Sequence, residues 1–146
     1  MSAGRICSRT VITAVPDESV REAAQRMAHH GVGTLVVVKA GGSGNEPIGI
    51  VTDRDIAMRC VAEGRDPDTL AVSSIMAQPL RVIDQDMAIE HAIVRMAEAG
   101  ARRLVVIGKG NTLVGILSLD DILELLSDEF SPIHRLLEHQ EPILTS

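Results

Sequence analysis

The amino-acid sequence contains an internal duplication, and this duplication is its strongest constraint on the fold. At an offset of 69 residues, segment 17–38 aligns with 86–107, and at an offset of 66, segment 49–56 aligns with 115–122. The offset changes between these matched blocks, in segments 39–47 and 108–113, where a surface loop absorbs differences in length. Self-similarity at a fixed spacing marks a repeated structural unit. The chain therefore consists of two copies of one unit.

Each copy predicts a short strand, a helix, two further strands and a second helix. Apolar residues in the first helix recur at i, i+3, i+4, i+7 and i+8, and Gly31 or Gly100 follows in the position typical of a left-handed C-terminal residue. Continuous β-branched runs such as 35–38 indicate strands covered on both faces. The predicted fold class is α/β (α+β), with two βαββα repeats packed sheet to sheet. The predicted strands are 11–15, 35–38 and 48–51 in the first copy and 80–83, 104–107 and 113–117 in the second.

The domain organisation follows from the repeat and from turn residues. We predict a first repeat over 5–63, a linker over 64–77, a second repeat over 78–128 and an extra C-terminal helix over 131–141. Gly64 and Pro67 indicate the linker, and Ser131-Pro132 resembles a helix start. Because a unit of about sixty residues buries only a marginal core, the two copies are expected to pack against each other.

Composition argues against several classes of function. The net charge of −6 disfavours general binding to nucleic acids or anionic membranes, which require a cationic face. Phe130 is the only aromatic residue, so no platform for stacking bases is available. No apolar run is long enough for a membrane span, and no leader-like segment is visible. Cys7 and Cys60 do not form a C-x-x-C pair. We expect a cytoplasmic protein with reduced thiols.

The sequence shows no established catalytic or metal-binding motif. It lacks a phosphate-binding P-loop, a complete dinucleotide fingerprint, a nucleophile elbow and an H-E-x-x-H element. We therefore predict that the protein is not an enzyme and that it requires no cofactor. The histidines have no ligand spacing, so no metal site is predicted. They are His29, His30, His91, His134 and His139.

One short motif occurs in both copies, at the junction between the last strand and the second helix. It is Thr52-x-x-Asp55 in the first and Ser118-x-x-Asp121 in the second. In one interpretation the hydroxyl and the carboxylate only cap the helix, because they satisfy free backbone N–H groups. In the other, the helix N-terminus and the hydroxyl hold a phosphate while the carboxylate accepts hydrogen bonds from a ribose. The motif alone does not choose between them.

The doubled motif and the blocks before it resemble a tandem cystathionine-β-synthase (CBS) domain pair, also called a Bateman module. The resemblance covers about residues 5–128 and rests on 49–56, 115–122 and the strand blocks 35–38 and 104–107. The second repeat, from Ala101 to Leu123, is also similar to the nucleotide-sensing subunit of AMP-activated protein kinase.

This resemblance implies two related clefts between the repeats, each combining the motif of one repeat with residues of the other. The first cleft would contain Thr52, Arg54, Asp55, Arg81, Arg102 and Arg103. The second, weaker cleft would contain Cys7, Ile12, Val32, Gly33, Thr34, Ser118 and Asp121. Arginine suits phosphate oxygens, so we expect a nucleotide in the first cleft. The second has no cation in this set, and Asp120 stands where the first repeat has Arg54, which disfavours anions there.

The function implied is that of a non-enzymatic regulatory module that binds an adenosine nucleotide. AMP, ADP or ATP is the expected ligand, with S-adenosylmethionine as an alternative. A homodimer and a separate effector protein are the expected partners. The competing hypothesis is a ligand-independent dimeric scaffold in which both motifs are helix caps only and the acidic C-terminal helix is the main contact surface.

Overall fold

The structure, a computed structural model, describes residues 1–41 and 45–144, with side chains up to residue 138. In the first half the elements are α1 (Ala3–Ile6), β1 (Thr13–Ala14), α2 (Val20–His30), β2 (Thr34–Val38), β3 (Pro47–Thr52) and α3 (Asp53–Ile56), which continues as a π-helical segment (Ala57–Val61). A 3-10 turn (Val72–Ser74) leads to the second half. There the elements are β4 (Val82–Asp84), α4 (Ile89–Ala99), β5 (Arg103–Ile107), a 3-10 turn (Lys109–Asn111), β6 (Leu113–Ser118) and α5 (Leu119–Leu144).

The strands form two equivalent three-stranded sheets. In the first, β1 runs parallel to β2, and β2 runs antiparallel to β3, with Val36 opposite Ile50. In the second, β4, β5 and β6 are arranged in the same way, with Val105 opposite Ile116. The predicted βαββα repeats are thus confirmed. The first strand of each sheet is shorter than the sequence suggested.

The first helix of each repeat has the predicted buried face and the predicted end. Buried α2 residues are Val20, Ala23 and Met27, and the corresponding α4 residues are Ile89, Ala92 and Met96. Gly31 and Gly100 end these helices with φ values of 65° and 61°. Only glycine adopts this left-handed conformation without strain from a Cβ atom, which explains its use at both positions.

The two repeats pack on each other through their sheets. Val36, Val38 and Val105 are buried in a cluster of their own, apart from the core of either repeat. Around them lie partly buried apolar residues from both halves, namely Val11, Ile50, Leu80, Ile107, Leu113 and Ile116. The backbone of Leu113 also donates a hydrogen bond of 2.8 Å to Asn45 in the other repeat. These contacts form the interface between the two repeats, and the clefts lie along this interface.

The segment that precedes each repeat packs against the other repeat. Ser8 exchanges backbone hydrogen bonds of 2.8 and 3.0 Å with Ile116, and the equivalent Ala77 donates one of 2.8 Å to Ile50. Ala3 and Cys7 accordingly lie in the core of the second repeat. The part of the predicted linker from residue 70 to 77 belongs to the core of the first repeat, because its apolar residues Leu70, Val72, Ile75 and Met76 are buried there.

The C-terminal helix is present but does not start anew at Ser131. A single helix, α5, runs from Leu119 to Leu144 and includes Pro132. Proline removes one backbone donor and crowds the carbonyl group four residues earlier, but the apolar residues on both sides continue the helical spacing. A separate helix over 131–141 is therefore incorrect. The structure does not describe the side chains of His139 and the residues after it.

The buried carboxylate of Glu18 makes a testable contribution to the stability of the first repeat. It accepts two hydrogen bonds of 2.7 Å from Arg26 and one of 2.9 Å from the backbone of Val15. We expect Glu18→Ala to lower the free energy of unfolding by about 2 kcal/mol, less than for a fully buried pair because the Arg26 side chain is 35% exposed. Urea unfolding measures this, with Asp17→Ala as the exposed control. Equal stability of both variants would contradict this role.

Candidate functional site

A cleft of about 290 Å³ lies between the two repeats, and we call it the first cleft. Its walls combine the end of β3, the segment leading into β4, and the turn between α4 and β5. The lining residues are Thr34, Ile50, Thr52, Ala77, Pro79, Leu80, Arg81, Ala101, Arg102 and Arg103. The lining of this cleft therefore combines apolar residues with three arginines.

A second cleft of about 280 Å³ is related to the first by the sequence repeat. Its lining residues are Ser8, Thr10, Val32, Gly33, Thr34, Arg103, Ile116, Ser118 and Asp121. Most of these are repeat equivalents of residues in the first cleft: Ser118 corresponds to Thr52, and Gly33 and Thr34 correspond to Arg102 and Arg103. Thr34 and Arg103 line both clefts, so the two clefts meet at these residues.

The helix that begins at the first cleft starts with a complete capping box. The Thr52 hydroxyl accepts a hydrogen bond of 3.1 Å from the backbone N–H of Asp55, and the Asp55 carboxylate accepts one of 2.9 Å from the backbone N–H of Thr52. Ser118 and Asp121 repeat this arrangement at 3.0 and 3.1 Å. Because each hydroxyl oxygen only accepts in these bonds, its own O–H proton is available to donate to a ligand.

Electrostatics differ strongly between the clefts. Arg81, Arg102 and Arg103 line the first, and in the described part of the chain none of them has a carboxylate oxygen within 4.0 Å. Among the described residues, no acidic side chain lines this cleft. The second cleft has one arginine, Arg103, and one carboxylate, Asp121. The first cleft is therefore much the more favourable site for an anion.

Comparison with known proteins identifies the family. The sequence profile of the CBS domain matches residues 3–61 and again residues 72–128. The chain belongs to the CBS-domain family. It is 40% identical over 112 residues to the CBS domain-containing protein YhcV of Bacillus subtilis, covering 77% of this chain and 76% of YhcV. It is also 37% identical over 125 residues to an uncharacterized protein of Methanopyrus kandleri, covering 86% of this chain but only 62% of that relative.

Solved structures of CBS proteins share the fold. A CBS domain pair crystallised with 5′-methylthioadenosine and S-adenosyl-L-methionine superimposes with a TM-score of 0.73 at 25% identity, covering 86% of this chain and 99% of the other. A hexameric CBS-CP12 protein from bloom-forming cyanobacteria gives a TM-score of 0.73 at 33% identity, covering 84% of this chain and 66% of the other.

In this chain, most but not all of the site residues predicted from the sequence line the two clefts. Thr52, Arg81, Arg102 and Arg103 meet in the first cleft, whereas Arg54 and Asp55 do not line it. The Asp55 carboxylate is instead held by the cap, and Arg54 lies on the exposed side of α3. In the second cleft the structure brings together Val32, Gly33, Thr34, Ser118 and Asp121.

Two predicted residues of the second cleft lie elsewhere. Cys7 is buried in the core of the second repeat, and burial raises the pKa of its thiol. Ile12 packs against the core of the first repeat. The assumption that the second cleft lacks a cation is also wrong, because Arg103 lines it. Asp120 lies in an adjoining cavity with Arg102 and Arg103.

Sequence reasoning missed the apolar residues of the first cleft and three residues that line the second. Ile50, Ala77, Pro79, Leu80 and Ala101 line the former, and Ser8, Thr10 and Ile116 line the latter. The signal that could have found them is the repeat itself, because Ala77 and Pro79 correspond to Ser8 and Thr10 at the offset of 69.

Neither metal ligation nor membrane insertion has structural support among the described residues. No group of three or more His, Cys, Asp or Glu side chains within them is placed to hold a metal ion. Among the helices that the structure describes, none has the length and apolarity needed to cross a membrane.

Proposed function

We propose that this CBS pair is a non-enzymatic regulatory module that binds an adenosine nucleotide in the first cleft and signals to a separate protein. The observation that carries the proposal is that three arginines and two threonines, Thr34 and Thr52, line a cleft that also has apolar residues. Arginine pairs with phosphate oxygens through two parallel N–H donors, which makes phosphate the best match for this cluster.

The apolar residues of this cleft would receive the base. Ile50, Leu80 and Ala101 line the cleft together with the arginines, and no aromatic side chain does. Adenine would therefore lie between aliphatic side chains, while its phosphate faces Arg102 and Arg103. The Thr52 hydroxyl, which keeps a free proton, is placed to donate to a ligand oxygen.

Charge favours the nucleotides among the adenosine ligands. S-adenosylmethionine carries a sulfonium cation and no phosphate, whereas AMP, ADP and ATP bring two or more negative charges. A cleft lined by three arginines and no carboxylate favours the nucleotides. The similar CBS pair crystallised with 5′-methylthioadenosine and S-adenosyl-L-methionine supports the adenosine moiety, and the arginines of this chain add the phosphate.

The second cleft would play a lesser role. Asp121 offsets the charge of Arg103 there, so this cleft would be empty or hold an uncharged ligand. Since Arg103 lines both clefts, a phosphate that engages it in the first cleft removes it from the second. We therefore expect one nucleotide per chain.

Regulation would follow from the position of the ligand between the repeats. A ligand at the interface between the repeats shifts their packing if the ligand binds one arrangement of the two repeats more tightly than another. The chain would pass this change to an effector protein, and it would act as a homodimer. The hexameric CBS-CP12 protein supports self-association in this family.

A specific observation favours one competing function. Both capping boxes are complete without any ligand, so the Thr52 and Ser118 motifs are explained by helix capping alone. In that case the protein would be a ligand-independent dimeric scaffold. The arginines of the first cleft would then be solvated surface charges.

Thermal unfolding separates the two functions. At a nucleotide concentration of 100 times Kd, binding adds about 2.7 kcal/mol of stability, which raises Tm by several degrees. We expect this shift with AMP, ADP or ATP, and a smaller one with S-adenosylmethionine or adenosine. Inorganic phosphate serves as the control for unspecific anion binding. If none of the adenosine compounds shifts Tm, nucleotide binding is contradicted and the scaffold function is favoured.

A further inference from the structure

Helix α5 carries a row of large apolar side chains that nothing in the described structure covers. Leu123, Phe130, Ile133 and Leu137 are 52–60% exposed, and Leu126 between them is 38% exposed. Soluble proteins rarely leave so many neighbouring apolar residues in water unless the surface serves an interaction. We call these five residues the α5 seam.

The spacing of the seam specifies the kind of partner. Its members follow one another at intervals of three, four, three and four residues. This is the heptad spacing of a coiled coil, in which each position packs into a hole on a second helix. The helix is anchored at its start, where Ile122 is only 1% exposed, whereas every side chain from Leu126 to Glu138 is exposed. The helix can therefore stay anchored while it offers the seam to another helix.

We propose that the α5 seam pairs with the same seam of a second copy of this chain, in a parallel two-stranded coiled coil. This inference rests on the proposed homodimer and names its interface. In a parallel, in-register pair each seam residue meets its own counterpart, which gives five consecutive apolar layers.

The residues beside the seam fit this arrangement. In the heptad, Leu123, Phe130 and Leu137 take position a, so Glu129 takes position g and His134 takes position e of the next heptad. In a parallel coiled coil these two positions face each other across the interface. His134 Nε2 lies 3.2 Å from the Glu138 carboxylate of its own helix, so the other ring nitrogen, as an N–H, would donate to the Glu129 carboxylate of the second copy. The same contact forms a second time by symmetry.

Charge and proline positions are also compatible. The acidic residues Glu124 and Asp128 fall at outer heptad positions, where they remain in water. Pro132 falls at an outer position as well, so its ring does not enter the seam. The proline that suggested a break in the helix therefore leaves all five apolar layers intact.

Analytical ultracentrifugation of the full chain tests the proposal. We expect a dimer for the wild type, and for Phe130→Asp with Ile133→Asp a rise of at least about 100-fold in the dimer dissociation constant. Val94→Asp on α4 is the matched control, because Val94 is also 52% exposed but lies outside the seam. It should leave the dimer unchanged. A monomeric wild type, or a double variant that dimerises as the wild type does, would overturn the proposal.

Orientation and ligand binding are measured separately. Leu126→Cys should form an interchain disulfide upon oxidation if the helices are parallel and in register. A dimer without that disulfide would overturn the parallel pairing. The nucleotide-induced rise in Tm should persist in the monomeric double variant, because the seam does not line the first cleft. Loss of dimerisation and failure of the nucleotide site are thus distinguishable.

Discussion

We expect Gly115→Ala to lower the free energy of unfolding by about 3 kcal/mol or more. A Cβ atom at this position would lie 2.3 Å from the carbonyl oxygen of Ser8 and 2.9 Å from the sulfur of Cys7. The carbonyl belongs to the backbone, so it cannot move aside without breaking the hydrogen bonds between Ser8 and Ile116. The segment before the first repeat would therefore detach from the second.

The repeat supplies a matched control for this substitution. Gly49 occupies the same place in β3, but its Cβ atom would meet the flexible Met76 side chain, with the nearest backbone atom at 3.4 Å. Gly49→Ala should therefore cost about 1 kcal/mol. Urea unfolding gives both values, and hydrogen exchange should show faster exchange of the Ser8 and Ile116 amides only in Gly115→Ala. If both substitutions lower the free energy of unfolding equally, the segment that contains Cys7 and Ser8 does not pack against Gly115 as described.

Replacing Arg102 and Arg103 by glutamine should weaken nucleotide binding by about 100-fold or more. Hydrogen bonds to charged groups contribute about 1.5–3 kcal/mol each, and a loss of 1.4 kcal/mol is a factor of ten in affinity. Both side chains are exposed and have no ion-pair partner among the described residues, so their removal should leave the fold intact. Isothermal titration with AMP or ATP measures the change.

Arg54 provides the control for loss of a positive charge outside the cleft, one charge against the two that the double variant removes. It is close in sequence to Thr52 but does not line the first cleft. Arg54→Gln should therefore change the affinity by less than about twofold, since an exposed charge outside the site acts only through screened attraction. If Arg54→Gln and the double variant weaken binding equally, the effect is one of net charge and not of this cleft. Substitution of Thr52 or Asp55 is less informative, because both residues hold the helix cap.

The repeated elements of the fold could be predicted because each depends on local pattern. The helical spacing of α2 and α4, the left-handed glycines and the β-branched strands are all written within short windows of the sequence. The packing of the segment before each repeat against the other repeat could not be predicted in this way. Residues 3–8 and 70–77 have no regular periodicity, and their apolar side chains find partners far away along the chain.

The candidate site shows the same division. The position of Thr52 at a helix start and the approach of Arg102 and Arg103 followed from the family resemblance and the repeat. The directions of Arg54 and Asp55 depend on how α3 turns relative to the sheet and on the cap, which sequence spacing does not determine. The family resemblance assigns Cys7 to the second cleft, yet Cys7 lies under Gly115, where only a residue without a side chain allows such a close approach.

A crystal structure of the protein with AMP tests the central claim most directly. The account predicts one nucleotide per chain, in the cleft between Thr52 and Arg103, with its phosphate within hydrogen-bonding distance of the guanidinium groups of Arg102 and Arg103. A nucleotide bound in the second cleft alone, or a first cleft that stays empty at saturating AMP, would contradict it.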